Sequence, residues 1–102
     1  MKNQASRMAL DRRLIERLLQ AYVQALEATQ TPAAGRVRYE YASHYDTARN
    51  LLARWQGGES EARLQAAVEI ELSSYRTDPP GGQQAEMIGA AFGDVCRAVG
   101  VM

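Results

Sequence analysis

A chain of 102 residues, 46% hydrophobic and 24% charged, has the make-up of one soluble globular domain, which excludes a chain that is disordered as a whole. Twelve basic residues balance twelve acidic ones, so no bulk charge points to nucleic acid, a lipid surface or an acidic partner. One cysteine, Cys96, rules out an internal disulfide, and together with one histidine, His44, it makes no metal framework.

The expected organisation is a single helical domain over 1–102, with 1–7 as a disordered N-terminus. Lys2 is followed by polar residues rather than an apolar run, so no secretory signal is expected. Nor does any stretch approach the roughly 20 apolar residues that cross a bilayer. The expected address is the cytoplasm. Eleven arginines to one lysine, in an alanine-rich chain, match the coding bias of a GC-rich bacterial genome.

Three clusters of turn-forming residues, at 31–35, 57–60 and 77–82, divide the chain into four segments. The first carries Leu14, Ile15, Leu18, Leu19, Tyr22, Val23 and Leu26 on one stripe, with Arg13, Arg17, Gln20, Gln24 and Glu27 opposite, which predicts an amphipathic helix over about 8–28. In the second, Val37, Tyr41, His44, Ala48, Leu51 and Trp55 follow at spacings of 4, 3, 4, 3 and 4. That rhythm keeps a seam facing a neighbouring helix, and the short connection sets the two helices antiparallel.

Ser60 is placed to cap a third helix, with Glu59 and Glu61 at its positive end. Leu64, Ala67, Val68, Leu72 and Tyr75 form its apolar stripe. Residues 68–73 nevertheless alternate apolar and polar, a strand signature, so a strand over 67–75 is the alternative to the helix. Glu69 and Glu71, two apart, diverge on a helix and read as a solvated face. The last segment, about 84–99, carries Ile88, Ala91, Phe92, Val95, Cys96 and Val99 on one face. Gly89 and Gly93 each cost about 1 kcal/mol against alanine inside a helix, which predicts an offset in the close approach of another backbone over Gly89, Ala90 and Gly93. The expected architecture is all-α: a helical hairpin with two shorter helices, in a three- to four-helix bundle.

Enzyme templates fail. Neither glycine pair, Gly57–Gly58 nor Gly81–Gly82, leads into a phosphate loop with a following lysine, since the only lysine is Lys2. Cys96 falls on an apolar stripe, where a thiol is a small core residue. No catalytic, cofactor-binding or metal residues are therefore assigned.

Residues 36–46 gather three tyrosines, two arginines and the only histidine. Tyrosine supplies contact area at low entropy and arginine a planar donor fork, the side chains that anchor protein interfaces. Tyr41 and His44 also suit the core of the hairpin. With Arg38, Tyr39, Tyr45 and Trp55, Tyr41 forms the candidate partner-binding set. Two long apolar stripes with shorter covering segments would leave apolar area for a partner, such as a second copy in a homodimer.

Charge is also uneven: residues 1–38 hold seven basic and three acidic side chains, a net +4 that the remainder balances with −4. Arg12, Arg13 and Arg17 on the first helix are the alternative, nucleic-acid-binding set, although a pI near 6.6 lacks the footprint of a dedicated binder. The expected function is thus that of a small non-enzymatic protein acting by protein–protein contact, such as an adaptor, a chaperone or a sequestering inhibitor of a transcriptional regulator. Nucleic-acid binding is the alternative, and no membrane role is expected.

Overall fold

The structure, a computed structural model, describes residues 11–28, 30–31, 36–37, 41–77, 79 and 84–101. Four helices make up almost all of it: α1 Arg12–Glu27, α2 Ala42–Gln56, α3 Glu61–Thr77 and α4 Ala85–Val99. Between α1 and α2, β1 Gln30–Thr31 and β2 Arg36–Val37 pair antiparallel, with Gln30 opposite Val37 and Thr31 opposite Arg36. The expectation of disorder at 1–7 lies outside the described residues.

Local chemistry explains where each helix starts and stops. Asp11 opens α1, its Oδ1 accepting from the backbone N–H groups of Arg13 and Leu14 at 3.1 Å each. Ser60 opens α3, its hydroxyl accepting from Arg63 N at 3.2 Å, with Glu61 in the first turn. Gly58 and Gly100 close α2 and α4 in the left-handed region, at φ of 96° and 83°. In both places the N–H one residue further on reaches back five positions, from Glu59 to Arg54 O and from Val101 to Cys96 O, each at 3.0 Å.

Contacts give the direction of each helix. The start of α1 meets the end of α2 through Arg12 and Trp55, and the end of α1 meets the start of α2 through Glu27 and Tyr45. His44 near the start of α2 touches Glu71 and Tyr75 toward the end of α3. Gln65 near the start of α3 donates to Val99 O at the end of α4, at 2.7 Å. The chain therefore runs up, down, up and down. Helix α1 is central, packing most extensively on α4 and then on α2, whereas α3 touches α4 and α2 less extensively.

The core fills from all four helices: Ile15, Leu19, Tyr22 and Leu26 meet Ala48, Leu51 and Trp55, Leu64 and Val68, and Ile88, Phe92, Val95 and Val99. Burying each of the larger side chains contributes about 2 kcal/mol.

The all-α class stands, and three expectations need correction. The last two helices are not shorter: α1 to α4 have 16, 15, 17 and 15 residues. They therefore cover the stripes of the hairpin, and among the described residues only Leu14, Ile70 and Met87 remain as exposed large apolar side chains. Val37 belongs to β2 rather than to the seam of α2, which begins at Tyr41 because the chain first makes its short ladder. The segment 67–75 takes the expected helix rather than the alternative strand. A strand would leave its backbone unpaired there, whereas the capped helix satisfies it.

The third correction concerns α4. A Cβ built on Gly89 meets nothing within 4 Å, and one on Gly93 meets only the Arg97 guanidinium at 3.5 Å, so among the described residues no backbone approaches this face.

Candidate functional site

The polar groups with most chemical capacity lie inside the bundle. The seam of α3 repeats the rhythm of α2, with Leu64, Val68, Glu71 and Tyr75 at spacings of 4, 3 and 4. This corrects the solvated-face reading of Glu71, which is buried while Glu69 stays exposed. His44 Nδ1 lies 2.9 Å from Glu71 Oε2, and the Tyr22 hydroxyl donates to the same oxygen at 3.1 Å. The Tyr22 and Tyr75 hydroxyls are 2.7 Å apart.

As a carboxylate Glu71 only accepts, so the hydrogen sits on Nδ1 of His44 and on the Tyr22 oxygen. Tyr75 is then the donor to Tyr22. Rings close around this chain: Tyr75 stacks on Phe92 at 4.4 Å, Tyr22 lies 5.1 Å from Phe92, and His44 lies 4.7 Å from Tyr75. All four helices thus contribute: Tyr22 from α1, His44 from α2, Glu71 and Tyr75 from α3, and Phe92 from α4.

Burial pushes the Tyr22 hydroxyl far above its ordinary range, with the neighbouring Tyr75 and Glu71 adding to the shift. Burial likewise pushes Tyr75 up, more than its hydrogen bond to Tyr22 pulls it down. Cys96 is fully buried, and burial pushes its thiol up to about 11, away from the thiolate that nucleophilic chemistry needs. Among the described residues every buried side-chain nitrogen and oxygen has a partner, and no group of three His, Cys, Asp or Glu could hold a metal ion. No helix among them is long and apolar enough to cross a membrane.

A second polar junction locks α1 to the end of α2. Arg12 donates to Trp55 O at 3.0 Å and to Glu59 O at 3.1 Å, while its guanidinium lies 3.5 Å above the centre of the indole ring. The Trp55 Nε1–H donates to Arg12 O at 3.0 Å, closing the exchange. Arg12 therefore satisfies carbonyls that the end of α2 would leave exposed.

The candidate binding residues are scattered by these packing demands. Trp55 and Tyr41 are 2% and 1% exposed, so both face the core and neither offers a surface to a partner. Tyr45 is half-buried, its hydroxyl donating to Glu27 at 3.3 Å and its ring lying 5.6 Å from the Arg49 guanidinium. Arg38 and Tyr39 lie outside the described residues. The basic set is exposed throughout, and within it Arg12 is committed to Trp55 and Glu59.

One surface feature escaped the reading of the sequence. A groove of about 340 Å³ runs between α2 and α3, lined by Asp46, Thr47, Asn50, Leu51 and Arg54 on one wall and by Ala67 and Ile70 on the other. Ile70 is 73% exposed. The α3 spacing carries the signal for it: once Glu71 occupies the seam, its neighbour Ile70 must point outward. Comparison of the chain with family models, with curated proteins and with solved structures finds no match to any of them.

Proposed function

We propose that the protein works by binding another protein, as a non-enzymatic helical module of the adaptor, chaperone or sequestering-inhibitor kind. The observation that carries this reading is the exposure of Ile70 beside an open groove, in a domain that buries most of its large apolar side chains. Ala66 is exposed and Ala67 half-buried one turn before it, so the neighbouring surface is low and apolar. A helix or loop of a partner gains apolar contact there that water does not offer. Tyr22, His44, Glu71 and Tyr75 are meanwhile bonded to one another and hold α1, α2 and α3 together.

The test is affinity capture with the tagged protein, with and without nuclease, alongside the Ile70→Arg variant. The reading expects one protein in near-equal amount, insensitive to nuclease and lost in the variant. Retention of nucleic acid alone, washed off by salt, overturns it and favours the second reading. That alternative rests on Arg13 and Arg17, which lie one turn apart on α1 and are both exposed.

A further inference from the structure

We draw no further inference here: the strongest candidate, the open groove between α2 and α3 beside the exposed Ile70, already carries the proposed binding of another protein, and with Arg54 paired to Glu59 at one end nothing in the structure shows what covers it.

Discussion

His44 and Glu71, 27 positions apart in the chain, meet inside the bundle with Nδ1 2.9 Å from Oε2, both side chains almost wholly removed from water. Their contact joins α2 to α3, and Tyr22 extends it to α1 through the same carboxylate oxygen. Such a cluster holds the helices in one register, because any slip leaves polar atoms in the core without partners.

Breaking the cluster from one side is therefore costly. Glu71→Ala strands the Nδ1–H of His44 and the Tyr22 hydroxyl, and is expected to lower stability by about 3 kcal/mol in denaturant unfolding. The double variant His44→Leu with Glu71→Leu should lose less than the sum of the two single changes, since it removes donor and acceptor together. Additive losses would show that the pair is not coupled.

Arg12 holds α1 to the end of α2 by two hydrogen bonds and by its position over Trp55. Arg12→Ala should cost about 1 kcal/mol and, because Trp55 is the only tryptophan, should shift its emission to the red as water reaches the ring. Arg12→Lys keeps the charge and loses the planar fork, so it is expected to behave more like alanine than like arginine.

Alkali should unfold the protein. An unfolded thiol releases its proton near its ordinary 9.0 and an unfolded phenol near 10.0, whereas burial raises Cys96 to about 11 and holds Tyr22 and Tyr75 higher still. Between these values the unfolded chain binds fewer protons than the folded one, so stability falls as pH rises. The contribution is fully present below pH 9; its Cys96 part is lost between about 9 and 11, and its tyrosine part from 10 upward. Tyr75→Phe removes one of these protons while leaving the Tyr22 bond to Glu71, and should make unfolding less steep with pH above 10. An unchanged slope would mean that Tyr75 is not held neutral by burial.

Gly89 differs in kind from Gly58 and Gly100. Gly89→Ala meets open space inside a helix and should stabilise by about 1 kcal/mol in thermal or denaturant unfolding. Gly58→Ala and Gly100→Ala force a side chain into the left-handed region and should each destabilise by about 1 kcal/mol. Destabilisation by Gly89→Ala would point to a contact on the open face of α4.

The order of the four helices is a property of the sequence by itself. Apolar residues every three or four positions, broken by clusters of turn-forming residues, give four helices in order, because backbone hydrogen bonding and side-chain direction repeat along each helix regardless of what packs against it; the start of α2, after the β1–β2 ladder, does not follow from that pattern. The α2 seam from Tyr41 to Trp55 is legible for that reason, and so is the Ser60 cap, whose partner is three residues away.

What only the tertiary structure decides is which neighbour fills each place. In 68–72 a strand would put Val68, Ile70 and Leu72 on one face, whereas the helix turns Glu71 inward and Ile70 out. Glu71 can be buried only because Tyr22 and His44, 49 and 27 positions away, arrive to bond it. Arg12, though exposed, spends its donors on carbonyls 43 and 47 positions away. A lone carboxylate or guanidinium carries no mark of such partners, since the free energy of burying a charge depends on groups that the fold alone brings within reach.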